Sequence, residues 1–359
     1  MSSGFWMNRR VLVTGHTGFK GSWLCIWLRR LGANVVGYAL DPPTKPSLYE
    51  SARVGDHVHS VLGDVRDEEK LTTVIRDHDP AVIFHLAAQS VVRESYDDPI
   101  ETYSTNVMGT ACLFQAVRSA PGRRAIVNVT TDKCYKNKEW LWGYRENDEL
   151  GGRDPYSNSK ACAELVTEAF RESFFAPSEV DRHGTMVATA RAGNVIGGGD
   201  WTRDQLVPDI VRAIVSGEPA KIRQPKSTRP WQHVLDCLAG YIILAEKLSS
   251  TGGKALCTGW NFGPPGSDVK PVSWIADFVV KEWGGTASWT IDVGTHPHEA
   301  RMLRLESGKA NELLGWRPRL PLAQALDWTV AWYKSHQSGG DAGNLCVRQI
   351  DAYANLKAE

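Results

Sequence analysis

Residues 13–21 read V-T-G-H-T-G-F-K-G. They follow an apolar run, R-V-L-V-T-G at 10–15, and lead into an amphipathic segment with Trp23, Leu24, Trp27 and Leu28. A strand, a tight turn and a helix in that order aim backbone N–H groups at the place where a pyrophosphate binds. Gly15, Gly18 and Gly21 keep the spacing G-x-x-G-x-x-G rather than the commoner G-x-G-x-x-G, with the same physical logic. The strand-to-helix context makes the pattern specific. His16, Thr17, Phe19 and Lys20 complete the loop as expected dinucleotide contacts. Lys20 suits a place beside the pyrophosphate or an exposed first helical turn equally well.

Five further runs read as strands: 34–41, 58–64, 81–88, 125–131 and 186–191. Their continuous Val/Ile content suits parallel strands covered on both faces, and helical patterns alternate with them. The predicted fold class is α/β, a Rossmann-type doubly wound parallel sheet with a smaller C-terminal substrate-binding lobe. Cofactor contacts belong at the strand ends. Asp41, twenty residues past Gly21, can hydrogen-bond both ribose hydroxyls and repel a 2′-phosphate, which favours NAD over NADP; a cap before Pro42 is the plainer alternative. Asp64, followed by Val65, meets the adenine amino group or caps a turn. Leu86, Ala87, Ala88 and Gln89 end the fourth strand with small residues where backbone approaches the cofactor. Asn106 either holds backbone behind the site or is simply structural.

The texture changes after residue 195, with Gly197, Gly198 and Gly199, then basic and Pro-rich loops over 219–230. Residues 1–193 with 230–263 are expected to form the NAD-binding domain, and 194–229 with 264–335 the substrate lobe. Residues 336–359 are the least patterned and read as a tail. No Gly/Ser linker separates the lobes, so the cleft between them is the expected site. Two helices carry apolar faces, Ile100/Tyr103/Val107/Ala111/Phe114/Val117 and Cys162/Leu165/Val166/Ala169/Phe170. These faces suit ordinary core or a homodimer or homotetramer helix bundle.

Bulk properties narrow the classes. The 359 residues, 42% hydrophobic and 23% charged, fit an ordinary globular protein. Basic and acidic residues number 41 each, which gives no steering toward nucleic acid or membrane. No run is long enough to span a bilayer, and no signal-peptide core precedes the first strand. Seven scattered cysteines without a C-x-x-C pair point to reduced thiols and a cytoplasmic location. No metal is expected, because His296 and His298 lack a third ligand at suitable spacing.

Two segments carry chemistry: V-T-T-D-K at 129–133 and Y-S-N-S-K at 156–160. The second puts a phenol and an ammonium one helical turn apart on one face. Tyr156 is then a proton-transfer group, its pKa lowered by Lys160 and a nearby nicotinamide cation. The first ends a buried strand and offers a hydroxyl, an acid and an amine: Thr131, Asp132 and Lys133. Together they predict redox chemistry with an added acid/base step.

The glycine loop, the H-L-A-A strand and Tyr156-x-x-x-Lys160 resemble the extended short-chain dehydrogenase/reductases over roughly residues 8–330. More narrowly, G-H-T-G-F-K-G, T-D-K-C-Y, W-G-Y-R-E-N, D-P-Y-S-N-S-K, R-A-G-N-V-I-G-G-G-D-W, R-P-W-Q-H-V and H-P-H-E-A are similar to the CDP-glucose 4,6-dehydratases. The resemblance implies a hydro-lyase with regenerated NAD, acting on CDP-glucose in deoxysugar biosynthesis. Oxidation at carbon 4 would precede loss of water across carbons 5 and 6, and carbon 6 would then be reduced. It implies Tyr156 as base for oxidation, Lys160 on the nicotinamide ribose, Thr131 on the carbon-4 hydroxyl, and Asp132 as acid if burial raises its pKa. Many related dehydratases carry Glu where this chain has Lys133, which argues against the dTDP-glucose and GDP-mannose enzymes. Lys133 can be the carbon-5 base only when neutral. Gln89, Arg93, Asn194, Arg229, His298 and Glu299 are the implied substrate contacts. Lys221, Arg223 and Lys226 join Arg229 in a basic cluster. The alternatives are a nucleotide-sugar 4-epimerase, disfavoured by Asp132 beside Lys133, and remotely a non-catalytic NAD-sensing protein.

Overall fold

The computed structural model describes residues 3–294 and 300–356. Six strands coincide with the apolar runs: β1 (Arg10–Thr14), β2 (Asn34–Ala39), β3 (His59–Leu62), β4 (Val82–His85), β5 (Arg124–Val129) and β6 (Thr185–Ala192). Next come β7 (Asn194–Ile196), β8 (Ala220–Ile222), β9 (Thr228–His233), β10 (Gly259–Phe262), β11 (Val269–Pro271) and β12 (Trp289–Ile291). The central sheet has the order β10-β6-β5-β4-β1-β2-β3, and every pairing in it is parallel. The order reverses between β1 and β4, the topological switch point where such sheets bind ligands. No continuous apolar run announced β10. Its Trp260 and Phe262 alternate with Gly259 and Asn261, and it pairs with β6 from Gly259↔Thr189 to Phe262↔Ala192.

The helices that matter here are α1 (Phe19–Arg30), α2 (Glu68–His78), α3 (Gly109–Ser119), α4 (Pro155–Ser173), α5 (Leu206–Val215), α6 (Val234–Leu248), α7 (Val272–Trp283), α8 (Leu322–Gln337) and α9 (Ala342–Asn355). Alternation along β1 shows why both sheet faces are covered. Val11 and Val13 join Trp23, Trp27 and the α6 residues in one core; Leu12 joins Leu71, Ile75, Leu113 and Phe114 in the other. Outside the large sheet lie β11-β9-β7 and the pair β12-β8. The chain leaves the large sheet after β6, lays down β7, β8 and β9, returns through α6 to β10, and then adds β11 and β12 to complete the smaller sheets.

Two expectations change. The apolar helix read over 100–117 is three pieces: Pro99–Tyr103, a π-helical turn at Ser104–Met108, and α3. The residues after 335 are largely helical. Asp341 caps α9 by accepting from the Asn344 amide at 2.7 Å. Cys346, Ile350 and Tyr353 bury one face of it; Tyr353 meets Trp27, and Asp351 pairs with Arg30 at 2.9 Å.

Behind the ends of β5 and β6 lies a buried ion pair. Arg191 donates from Nε to Glu164 Oε1 at 2.9 Å and from Nη2 to Oε2 at 2.8 Å, and the side chains are 5% and 4% exposed. The Thr130 hydroxyl donates to the same carboxylate, and Thr189 does so at 2.7 Å. Arg191 Nη1 also reaches the Tyr135 hydroxyl at 2.7 Å, which donates to Asn261 Oδ1 at 2.7 Å. The network therefore joins α4, β6, β10 and the chain after β5. Glu164→Gln leaves the Arg191 charge buried without its counter-ion. It is expected to cost about 3 kcal/mol, read as a lowered urea midpoint.

A second buried carboxyl anchors the C-terminal segment. Asp236 Oδ1 accepts from the Arg319 amide at 2.7 Å and the Tyr353 hydroxyl at 2.8 Å, while Oδ2 has no partner among the described residues. Burial pushes Asp236 up from 3.8 to about 6. The folded chain thus holds a proton that the unfolded chain releases. That stabilisation is complete below pH 3.8 and is lost as pH rises through 6. The stability advantage of Asp236→Asn over the parent should grow by about 2 kcal/mol between pH 4 and pH 7, measured by urea melts. A pH-independent difference would rule out this role.

Candidate active site

The C-terminal ends of the large sheet open into a cavity of about 2040 Å³. That is several-fold larger than a site for one drug-sized molecule and has room for two nucleotides. The glycine loop forms one wall. Gly15 sits at φ +73°, and a Cβ there would lie 2.7 Å from the Ala87 nitrogen. A Cβ on Gly21 would lie 2.1 Å from the Gly15 carbonyl oxygen. The turn, the start of α1 and the end of β4 meet this closely only because both residues lack a side chain. Thr14 Oγ1 braces the contact by accepting from the Leu86 and Ala87 amides, each at 3.2 Å.

Gly18, Thr17, Phe19 and Lys20 line this wall; Thr17 also donates to the Leu40 carbonyl at 2.9 Å. The His16 side chain does not line it. Its imidazole is buried beneath the loop, 2.7 Å from Ser60 Oγ, and burial lowers it to about 4. His16 braces the turn, and nothing in its sequence context separates that from a cofactor contact. Asp41, Asp64, Val65, Leu86, Ala87, Ala88 and Gln89 all reach the cavity. Asp64 is already engaged: Oδ1 accepts from Arg66 N and Nε at 2.8 and 2.9 Å, and Oδ2 from Nη2 at 2.5 Å. These bonds hold its carboxyl below the usual range.

The Gln89 amide is turned onto its own loop, donating to the Val91 carbonyl at 2.9 Å and accepting from the Val91 amide at 2.8 Å. Asn106 is buried outside the lining. It accepts from the Gln89 amide and donates to the Gln89 carbonyl and Ser159 Oγ, each at 2.9 Å. The backbone-holding alternative therefore describes Asn106.

Tyr156 and Lys160 enter on the first turns of α4. Asp154 caps that helix by accepting from the Ser157 amide at 2.8 Å, and Pro155 opens it. Both side chains line the cavity and are under a tenth exposed. Lys160 Nζ donates to the Val129 carbonyl at 3.2 Å. Burial, with Lys20 adding to it, lowers the ammonium to about 8. The expected lowering of Tyr156 is not what the protein's own groups produce. Burial pushes the phenol up and the charge of Asp132 adds to the rise, while a hydrogen bond with Thr131 works against it.

Facing them is the turn after β5. Thr131 Oγ1 accepts from the Lys133 amide at 3.3 Å and donates to Asp132 Oδ1 at 3.0 Å. Lys133 Nζ lies 3.7 Å from that same oxygen. Thr131 and Lys133 line the cavity, whereas Asp132 is wholly buried behind the wall. Its Oδ2 has no hydrogen-bond partner among the described residues, and a Cβ on Gly193 would stand 2.9 Å from it.

Across the cleft, Asn194 on β7 lines the cavity, and its buried Oδ1 lacks a partner among the described residues. Arg229 on β9 lies alongside, since Asn194 pairs with Trp231, and Nη1 donates to the Thr228 carbonyl at 3.0 Å. Of the basic cluster, Arg223 and Arg229 reach the cavity, while Lys221 and Lys226 are exposed away from it. Arg93 and Arg223 converge on Asp204 Oδ1 at 3.1 and 2.7 Å. Sequence reasoning missed Asp204 and the buried Asp200, although both sit in G-G-G-D-W-T-R-D-Q at 197–205, where acids beside a Gly run were the available signal. His298 and Glu299 lie outside the described residues. No group of three or more His, Cys, Asp or Glu is placed to hold a metal among the described residues.

The chain is 53% identical over 98% of its length, and 98% of the relative's, to a CDP-glucose 4,6-dehydratase of Salmonella typhimurium. A dTDP-glucose 4,6-dehydratase of Xanthomonas campestris pv. campestris is 27% identical, with 91% of this chain and 93% of the relative covered. The crystal structure of a dTDP-glucose 4,6-dehydratase from Bacillus anthracis in complex with NAD superposes with a TM-score of 0.76 at 23% identity, over 93% of this chain and 99% of that one. The family model for GDP-mannose 4,6 dehydratase matches residues 12–329, and the chain belongs to that family of extended short-chain dehydrogenase/reductases.

Proposed function

We propose that this chain converts CDP-D-glucose to CDP-4-dehydro-6-deoxy-D-glucose, with NAD in the glycine-loop half of the cavity. The observation that carries the reading is the Thr131–Asp132–Lys133 turn set against Tyr156 and Lys160, in a chain 53% identical to a CDP-glucose 4,6-dehydratase. The loop fits a pyrophosphate, because Gly15 and Gly21 let the turn pack tightly against the end of β4 and so bring the N-terminus of α1 to the cavity wall. Gly18, Thr17, Phe19 and Lys20 would hold that group, Asp41 the adenosine ribose, and Asp64 and Val65 the adenine. When bound, the cofactor supplies the redox capacity for oxidising carbon 4 and reducing carbon 6.

The chain supplies position and proton transfer. Tyr156 removes the proton of the carbon-4 hydroxyl, which Thr131, hydrogen-bonded to the phenol, orients. Lys160 would hold the nicotinamide ribose and would offset the negative charge of the tyrosinate. The 4-keto group acidifies carbon 5. Lys133 then takes the carbon-5 proton. Asp132 is the source of the proton for the departing oxygen of carbon 6, and from behind the wall it acts by relay through the groups that touch it there, Thr131 at 3.0 Å and Lys133 at 3.7 Å. Asn194 and Arg229 hold the sugar and its phosphates from the opposite wall, with Arg93 nearby and His298 and Glu299 as further contacts; Gln89, whose backbone bonds Asn106 and whose side chain bonds Val91, shapes the wall between them.

The lobes are assigned as 1–193 with 230–263 for NAD and 194–229 with 264–335 for the nucleotide sugar. The return of β10 to the large sheet supports that division. A second copy of the chain is the expected cover for the apolar face of the 99–108 segment and α4, where Ile100, Met108 and Leu165 are more than half exposed. A cytoplasmic location completes the reading; among the described residues, no helix is long and apolar enough to cross a membrane.

Purified protein with NAD and CDP-glucose should yield a 4-keto sugar that absorbs in alkali, and CDP-galactose as sole product would sink the proposal in favour of an epimerase. Lys133→Ala should still oxidise carbon 4 but stall before elimination. Single-turnover absorbance would then show NADH persisting, whereas turnover at the parent rate would remove Lys133 from the role.

A further inference from the structure

The far rim of the cavity lies beyond the groups that carry the chemistry at Tyr156. With carbon 4 of the hexose at Tyr156, the remainder of a nucleotide sugar runs past Asn194 and Arg229 along the second lobe. The opposite rim, at Asp41 and Asp64, belongs to the cofactor. The base therefore ends where Arg93, Asp204, Val215 and Arg223 line the cavity. These residues come from four separate segments: the chain after β4, the loop before α5, the end of α5, and the chain just past β8. Val215 is 53% exposed and offers an apolar surface for the face of a base.

Asp204 is the unusual member. It sits at φ +61°, a left-handed conformation that a residue other than glycine seldom adopts outside functional or turn positions. Two guanidiniums meet on its Oδ1, Arg223 at 2.7 Å and Arg93 at 3.1 Å. The side chain is about a third exposed (31%), and Oδ2 takes no hydrogen bond among the described residues. Although burial opposes it, the Arg223 and Arg93 bonds hold this carboxyl below the usual range, so it is an obligate acceptor at neutral pH. The guanidiniums are obligate donors.

We propose that Asp204 and Arg223 form a reader for the Watson–Crick edge of cytosine and set the nucleotide preference of the enzyme. Cytosine presents two acceptors, O2 and N3, and one donor, the N4 amino group. A guanidinium meets the acceptors, and a carboxylate accepts from N4. Uracil and thymine present N3–H and O4 instead, which places a donor against the guanidinium and an acceptor against the carboxylate. Arg93 holds Asp204 in place from the cofactor side of the cleft and acts as a positioning residue. The inference rests on the dehydratase reading only for the direction in which the substrate lies.

Calorimetric titration of the NAD-loaded full chain with CDP, UDP and inorganic pyrophosphate tests it without turnover. Wild type should bind CDP at least about tenfold more tightly than UDP. Asp204→Asn suits the left-handed backbone and still offers an oxygen to the guanidiniums, but its amide can donate to O4 of uracil. It should lower the CDP/UDP preference about 10- to 100-fold. Asp204→Gly keeps the backbone and removes the carboxylate; the preference should vanish without reversing. Equal binding of CDP and UDP by wild type overturns the proposal. So does an equal loss for CDP, UDP and pyrophosphate in Asp204→Asn, which would mark a phosphate contact. A wild type that prefers CDP but does not turn over CDP-glucose would uphold the base reader and defeat the dehydratase reading.

Discussion

Glu164 and Arg191 carry opposite charges in a place water scarcely reaches, and the active site is arranged around their contact. Neither charge is tolerable there alone, so each fixes the other. The carboxylate also accepts from Thr130, one residue before Thr131, and the guanidinium holds Tyr135, one residue past the Asp132–Cys134 turn. The turn at Thr131–Cys134 is thus pinned from both sides by one ion pair. Because Glu164 lies one helical turn beyond Lys160, the same pair sets the depth of α4 against β5 and β6. Proximity between Tyr156 and Thr131 follows from that depth, as does the reach of Asn261 on β10 into the network.

Most of the large sheet was legible because its signal is local. Runs such as A-V-I-F-H-L-A-A stand out since a parallel strand buried on both faces must be apolar throughout. β10 was not legible in that way, because Asn261 spends its place in the strand bonding Tyr135, Tyr144 and Glu306. The glycine loop lies where its sequence context places it, between β1 and α1, yet His16 within it points away from the cavity. Pattern gives the position of a loop residue, not the side its ring takes. Asp204 escaped for a related reason. Its meaning depends on Arg93, 111 residues earlier, and Arg223, 19 residues later, and no spacing rule links them.

The Tyr156 environment shows how little of a reaction site is electrostatically prepared by the tyrosine's own helix. Burial works against the ionised form of both Tyr156 and Lys160. Desolvation penalises each charge separately, and a nearby opposite charge repays that only when the ligands complete the arrangement. The protein contributes a dry, fixed geometry, and the bound molecules contribute the charges that make it productive.

The π-helical turn at Ser104–Met108 ties together two surfaces that otherwise seem unrelated. A π turn holds about one more residue than an α turn, so it rotates everything after it by roughly 100° relative to what precedes it. Here that rotation lets Asn106 face Gln89 while Ile100 and Met108, on either side, face outward. Phase is therefore shared between the wall of the cavity and the exterior apolar strip. Removing a single residue from the turn would not merely shorten a helix. It would put the strip and the Gln89 clamp out of step, so that only one of them could occupy its present angle. The two surfaces are geared to one another, and sequence drift in either is constrained by the angular setting of the other.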